Sequence, residues 1–233
     1  TTLLRTMLNH HSQIAIPLES LFIIDYLNAQ TKSTPEKFRY LIESEYELAE
    51  WDMPFTLTDF AGCISAQDFI DRAHELYLQQ HGKPIWGQKT PRFVRHGALL
   101  KRYYPHAKFI NILRDPRAVV SSLIRSNVHN SNALYAARRW QRDVSAGLQL
   151  GRAFPGDVLH VHYEDLVGDT EATLRTVCTF LEIDFEPALL DYYQSGTQEY
   201  GGYYAQIHAK LNHAPDTSRI HAWRKHLSPQ DVA

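Results

Sequence analysis

Two cysteines in 233 residues, Cys63 and Cys178, are too few and too far apart in sequence for a disulfide framework or a recognisable zinc motif. Their scarcity points to a reducing, cytoplasmic setting. There is no excess of one charge: 24 Lys and Arg face 26 Asp and Glu, a formal net charge of -2. That balance argues against a nucleic-acid partner, so any attraction for an anion must be local. No apolar run approaches the roughly 18 residues a membrane helix needs, and no secretory leader is visible. Internal repeats, low-complexity tracts and a convincing linker are also missing. So is Gly-x-x-x-x-Gly-Lys, which argues against a standard ATP-hydrolysing P-loop.

What is present is ordinary for a globular chain, 44% hydrophobic and 21% charged. The length suits one α/β domain with insertions. Leu3, Leu4, Met7 and Leu8 recur at helical spacing, and Ile14-Ala15-Ile16 reads as a short buried strand closed by Pro17. Leu18 to Leu27 reads as a helix. Residues 28–65, with Glu43, Glu45, Glu47, Glu50 and Asp52, read as variable helices over the core. A helix over 66–81 places Phe69, Ile70, Ala73, Leu76 and Tyr77 on one face, with Gly82 as its stop. Pro91 to Tyr104 reads as a helix ended by Pro105, and Lys108 to Leu113 as a strand. Asn132 to Phe154 reads as a helix with Trp140, Val144 and Leu148 inward. Val158 to Tyr163 reads as a strand, and Thr170 to Leu181 as a helix capped by Asp169 or Thr170. Strands alternating with helices imply a mainly parallel sheet covered on both faces.

Residues 109–122, Phe-Ile-Asn-Ile-Leu-Arg-Asp-Pro-Arg-Ala-Val-Val-Ser-Ser, carry the clearest chemical signal. An apolar run ends at Arg114, a turn follows at Asp115-Pro116, and a helix begins at Arg117. Arg114 and Ser122 can then share one phosphate, the guanidinium giving planar paired donors and the helix start adding unpaired N–H groups. An ion-paired Arg114 beside a Pro-started helix is the plainer reading. Thr1 and Thr2 at a helix start suit an oxyanion, or serve as a simple N-cap. His160 and His162 alternate on one strand without a third ligand at a recognisable spacing, which favours a structural pair. Tyr200-Gly201-Gly202-Tyr203-Tyr204 reads equally as a lid or a plain surface loop.

Together these segments resemble the sulfotransferases that use 3′-phosphoadenosine 5′-phosphosulfate (PAPS), in particular the branch holding the tyrosylprotein sulfotransferases and their bacterial relatives. The family's 5′-phosphosulfate loop reads Arg-Ser-Gly-Thr-Thr before a leucine and a helix. Thr1-Thr2-Leu3-Leu4 matches its second half, and the Arg-Ser-Gly and the strand before it are expected upstream of Thr1. Leu113-Arg114-Asp115-Pro116-Arg117 through Ser122 matches the 3′-phosphate motif. Val161-His162-Tyr163-Glu164-Asp165-Leu166 resembles the strand end whose tyrosine lies along the nucleotide, although alone Tyr163 reads as a core aromatic. The run from Asp216 to Arg224 resembles the loop closing over the nucleotide, which implies roles for Ser218, Trp223 and Arg224. Glu19, 18 positions after Thr1, stands where that branch has its catalytic base, and Lys89 in Gly87-Gln88-Lys89-Thr90-Pro91 matches the lysine facing the departing group.

The resemblance implies a single P-loop-like three-layer sandwich over 1–233, with 28–83 a helical insertion shaping the acceptor site. It implies metal-free, in-line sulfuryl transfer from PAPS to a hydroxyl or, second, an amine, leaving adenosine 3′,5′-bisphosphate. Candidate acceptors are a small molecule, a carbohydrate, a lipid or a peptide. The five acids of 43–52 weigh against an acidic peptide if they border the cleft. A homodimer is a candidate assembly, and an anchor or signal upstream of Thr1 would alter the expected location. Two other classes fit parts of the pattern: a non-catalytic adenine-nucleotide-binding module, and a kinase-like phosphoryl transferase needing magnesium and ATP.

Overall fold

The computed structural model describes residues 1–29, 34–126, 131–194 and 213–232. The chain divides into two compact units. One holds residues 1–105 with the described residues from 186 to 194. The other holds residues 106–185 with those from 213 onward. The tyrosine- and glycine-rich segment at 200–204 lies outside the described residues.

In the first unit α1 (Thr2–Leu8) buries Leu4, Met7 and Leu8 and leads to β1 (Ile14–Ala15). The expected helix from Leu18 starts later, as α2 (Phe22–Ala29), because residues 18–20 are held by side chains instead of by helical bonds. The insertion forms α3 (Pro35–Ser44), α4 (Tyr46–Ala49) and a 3-10 turn at Leu57–Phe60. Trp51 and Phe60 fasten it to the core: Trp51 meets Phe22 at 6.2 Å and Tyr77 at 5.6 Å, and Phe60 stacks on Phe69 at 5.8 Å.

Helix α5 (Ala66–His81) obeys its sequence signals. Ser65 Oγ accepts from Asp68 N at 3.1 Å, and the Asp68 carboxylate accepts from Ser65 N at 2.9 Å, a reciprocal cap. Gly82 ends it in the left-handed region at φ 63, where glycine is unstrained. Its buried face differs in one place. Leu76 is half-buried, and His74 is sealed completely alongside Phe69, Ile70, Ala73 and Tyr77. Strand β2 (Ile85–Trp86) pairs in parallel with β1, Ile14 opposite Ile85 and Ala15 opposite Trp86. The helix expected over 91–104 divides into a 3-10 turn, Pro91–His96, and α6 (Gly97–Tyr103).

In the second unit β3 (Phe109–Leu113) and β4 (Val158–His162) pair in parallel, from Phe109 opposite Val158 to Leu113 opposite His162. They are joined through α7 (Pro116–Ile124) and α8 (Ala133–Ala153). β4 ends at His162, and Tyr163 opens α9 (Tyr163–Gly168), followed by α10 (Thr170–Leu181). Asp169 caps α10 by accepting from Ala172 N at 3.2 Å.

Of the residues expected inward on α8, Trp140 and Val144 are half-buried, and the face departs from the expectation at Leu148. Ala136, Gly147 and Leu150 are buried, whereas Leu148 is 36% exposed. Two glycines set this rotation. A Cβ at Gly147 would stand 2.3 Å from Asn111 Nδ2, and one at Gly151 would stand 2.6 Å from His160 Nε2. Asn111 and His160 face each other across the strands with 3.1 Å between Nδ2 and Nδ1. The helix therefore presses its bare backbone on this polar pair and turns Leu148 outward. Every strand pairing among the described residues is parallel, and helices connect the strands, so the fold is α/β.

Candidate active site

In the first unit a group of candidate residues is built from α1 outward. Asn9 grips both main-chain groups of Ile16: Nδ2 donates to the carbonyl at 2.9 Å and Oδ1 accepts from the amide at 2.7 Å. Buried Arg5 adds Nε to the carbonyls of Ile16 and Pro17 at 3.0 and 2.9 Å. This clamp fixes the chain just before Glu19. Lys89 Nζ then lies 2.5 Å from Glu19 Oε1, with the lysine side chain 9% exposed and the glutamate 29%. Burial pushes the Lys89 ammonium below the usual lysine range; Glu19 opposes this, and the charge of Arg5 adds to it. Lys89 meets Glu19 through Oε1 alone.

Thr1 precedes α1 and its carbonyl accepts from Arg5 N at 3.1 Å, while its side chain makes no cap bond to the helix. Thr2 and Leu3 are half-buried in the first turn. Glu47, from the insertion, is buried and accepts from Phe22 N at 3.0 Å. Burial raises its carboxyl above the ordinary range, the Phe22 amide opposes that, and the charges of Glu45 and Glu19 reinforce it.

The second unit holds a separate group of candidate residues around the end of β3. Arg114 leaves the end of β3 with its guanidinium carbon 4.1 Å from the Tyr163 ring centroid, and Nη2 donates to the Arg219 carbonyl at 3.3 Å. Its own carbonyl accepts from Trp140 Nε1 at 3.0 Å. Asp115 caps α7 through Oδ1, which accepts from Arg117 N at 2.8 Å, and Pro116 opens the helix. The Asp115 amide donates to Glu164 at 3.0 Å, tying this corner to the start of α9. Arg117 turns back to grip Asp115 with Nε at 3.0 Å and Nη2 at 2.6 Å. That hydrogen bonding holds the Asp115 carboxyl below its usual range against some burial.

Arg117 also lies 4.0 Å from the ring centroid of buried Trp223, with Arg224 at 5.5 Å. Ser218 serves its own turn, N and Oγ both on Asp216 Oδ1 at 3.0 and 2.6 Å. That turn carries the Arg219 carbonyl to Arg114. Ser122, two turns into α7, is exposed, and its hydroxyl has no partner among the described residues.

An anion fits this corner. Among the described residues, Arg114 Nε is buried without a hydrogen-bond partner, an unsatisfied donor on a guanidinium. Such a group is costly in the absence of an acceptor, and a phosphate oxygen is the acceptor it matches. Sequence reasoning missed the supports: Arg5 and Asn9 behind Glu19, Trp140 and Glu164 behind Arg114, and Gln88 with His74 beside Lys89. No short motif marks them, because each acts on main-chain or amide groups far along the chain. Among the described residues, no three His, Cys, Asp or Glu are grouped to hold a metal, and no helix is long and apolar enough to cross a membrane.

Comparison with known proteins identifies the family and the fold. The sulfotransferase family model matches residues 1–187. A putative protein-tyrosine sulfotransferase of Caenorhabditis briggsae is 23% identical over 83% of the chain and 65% of its own length. Protein-tyrosine sulfotransferase 1 of Danio rerio is 28% identical over 82% of the chain and 52% of its own length. The chain thus spans less than two thirds of these relatives. Among solved structures, the sulfotransferase domain from the curacin biosynthetic pathway superposes with a TM-score of 0.68 at 22% identity, covering 98% of this chain and 87% of that one. The sulfotransferase domain of the Synechococcus PCC 7002 olefin synthase gives 0.67 at 24%, covering 98% and 84%. These two likenesses establish the fold. The match to the family over 1–187 establishes membership: the chain belongs to the sulfotransferase family.

Proposed function

We propose that this member of the sulfotransferase family moves a sulfuryl group from PAPS to an acceptor hydroxyl, with Glu19 as general base. The contact between Glu19 and Lys89 carries the reading, since it sets a proton acceptor beside a cation whose burial sharpens its electrostatics. The donor supplies the sulfuryl group and departs as adenosine 3′,5′-bisphosphate. Glu19 takes the hydroxyl proton as the acceptor oxygen bonds to sulfur. Lys89 meets the negative charge that gathers on the departing phosphate oxygen as its bond to sulfur breaks. Arg114 and Ser122 hold the 3′-phosphate, Arg114 through the otherwise unsatisfied Nε. Tyr163, Trp223, Ser218 and Arg224 flank the nucleotide, and the main chain from Thr1 to Leu3 takes the 5′ end, as the family resemblance implies.

The acceptor we favour is neutral: a carbohydrate, a lipid or a small alcohol. Glu47, whose carboxyl is raised chiefly by burial and further by the charges of Glu45 and Glu19, sets acidic groups near the base and disfavours an acidic peptide. A tyrosine-containing peptide is the second candidate, since the Caenorhabditis briggsae and Danio rerio relatives carry protein-tyrosine sulfotransferase names. The deciding experiment incubates the protein with sulfur-labelled PAPS and a panel of these acceptors, and measures adenosine 3′,5′-bisphosphate binding by calorimetry. Transfer by the wild type, lost in Glu19→Ala with binding kept, is expected. Binding without transfer to any acceptor would make the protein a nucleotide-binding module, and preference for magnesium-ATP would make it a phosphoryl transferase.

A further inference from the structure

Behind Lys89 lies a closed set of hydrogen bonds that the transfer reaction does not itself require. His74 is 0% exposed in the middle of α5. Its ring stacks on Trp86 at 4.0 Å and tilts against Trp51 at 4.9 Å. Nδ1 lies 2.7 Å from the Ile70 carbonyl, which can only accept, so Nδ1 carries the hydrogen. Burial holds the imidazolium form down to about 4, so the ring is neutral near pH 7 and Nε2 is an acceptor. The amide of Gln88 meets that lone pair, Nε2 to Nε2 at 3.0 Å.

The tautomer therefore dictates which way the amide faces. The same Gln88 Nε2 donates to Ser20 Oγ at 3.1 Å, so both its hydrogens are used. Turned over, the amide would set its oxygen against the His74 lone pair. In the observed orientation Gln88 Oε1 is buried without a partner among the described residues, a cost accepted to satisfy the imidazole. Ser20 Oγ also accepts from Trp51 Nε1 at 3.2 Å and donates to the Leu18 carbonyl at 3.1 Å, which exhausts its capacity. Ser20 N donates to Thr90 Oγ1 at 2.8 Å.

These bonds fall on the immediate neighbours of the reacting pair. Gln88 precedes Lys89, Thr90 follows it, and Ser20 follows Glu19. Residues 18–20 and 88–90 are thus stitched on both sides of the Glu19–Lys89 contact, and the last anchor is the imidazole of α5. We propose that His74 and Gln88 are positioning residues: the His74 lone pair orients the Gln88 amide, and that amide, through Ser20, holds Glu19 and Lys89 in register. The catalytic meaning of that register rests on the proposed sulfuryl transfer.

Two variants separate positioning from mere packing. His74→Phe keeps a flat ring between Trp51 and Trp86 but removes the acceptor. His74→Gln removes the ring but returns an acceptor oxygen near the place of Nε2. With PAPS and whichever panel acceptor the wild type uses, His74→Phe should lower kcat about 10–100-fold, as small misplacements do, with KM for PAPS little changed. His74→Gln should recover most of the lost kcat. Exchange of the Ser20 amide hydrogen, read by NMR, should speed up in His74→Phe and stay near wild type in His74→Gln.

Thermal midpoints should rank the other way, because Phe keeps the stack. Wild-type kcat and a protected Ser20 amide in His74→Phe would overturn the proposal, as would two variants impaired in step with their midpoints. Should His74→Phe fail to fold, Gln88→Leu carries the same expectation for kcat and Ser20 exchange. If the wild type transfers sulfuryl groups to nothing, the proposed function falls, and the Ser20 exchange comparison still decides whether His74 sets the register.

Discussion

Glu19→Gln keeps the shape of the side chain and removes one charge 2.5 Å from Lys89 Nζ. The lysine is nearly buried and the glutamate is not, so the loss lies between two limits. Exposed pairs contribute about 0–1 kcal/mol, and stripping one partner from a buried pair costs about 3–5 kcal/mol. We expect a loss of about 1–3 kcal/mol at pH 7, the range for a charged hydrogen bond. The sign of its pH dependence is fixed by the lysine. An amine whose folded value lies below its unfolded one leaves the unfolded chain with more bound protons in between, so stability rises with pH across that window. Losing Glu19 lowers the folded value of Lys89 further and extends the window toward neutral pH. The deficit of Glu19→Gln should therefore shrink as pH rises toward about 10, near the unfolded lysine value. Urea unfolding followed by tryptophan fluorescence, at pH 7 and in mild alkali, measures both. In the same variant kcat should fall about 10²–10⁴-fold for want of a base, with adenosine 3′,5′-bisphosphate affinity retained. A stability change inside about 0.5 kcal/mol, the size of a surface substitution, or an unchanged kcat, would refute the reasoning.

Arg114→Ala should weaken adenosine 3′,5′-bisphosphate binding by about 1.5–3 kcal/mol, the value of a charged hydrogen bond, in isothermal titration calorimetry; unchanged affinity would move the 3′-phosphate elsewhere. Gly147→Ala should cost about 1–3 kcal/mol in urea unfolding, because its Cβ would overlap Asn111, which is itself bonded to His160. Adding Asn111→Ala to that variant should recover part of the loss, and a neutral Gly147→Ala would mean that the seam yields. Asp115→Ala should remove about 1 kcal/mol of helix capping at pH 7. Since the Asp115 carboxyl is held below its usual range when folded, that stabilisation is present above about pH 4 and lost as acid protonates it. The gap between wild type and Asp115→Ala should therefore close in acid, as thermal melts across pH 3–7 would reveal.

Much of this was readable from residues alone, and the exceptions share a cause. Ser65, Asp68 and Gly82 announce both ends of α5, and Asp115-Pro116 announces α7, because caps act within a few residues. The candidate residues Arg114, Tyr163 and Trp223 sit in local motifs, and the structure places Arg114 against the Tyr163 ring and Arg117 against the Trp223 ring. What stayed hidden was nonlocal. Periodicity assigned an inward place to Leu148, but two glycines against Asn111 and His160 turned the helix. No motif or spacing marks His74, yet Trp51 and Trp86, from outside its helix, pack against it. The hold of Asn9 on Ile16 and of Glu47 on the Phe22 amide depends on chain returns that no spacing rule encodes.

Arg117 and Arg219 each face a carboxylate of their own neighbourhood, Asp115 and Asp216. Four guanidiniums near the phosphate corner, with Arg114 and Arg224, therefore present about half the cationic strength a count would suggest. Under the proposed function, capture of a multiply charged nucleotide there would rest on contact at short range more than on attraction from afar. Its affinity should weaken only gently with added sodium chloride, and the two intact dipolar pairs leave the second unit little tendency to collect polyanions indiscriminately.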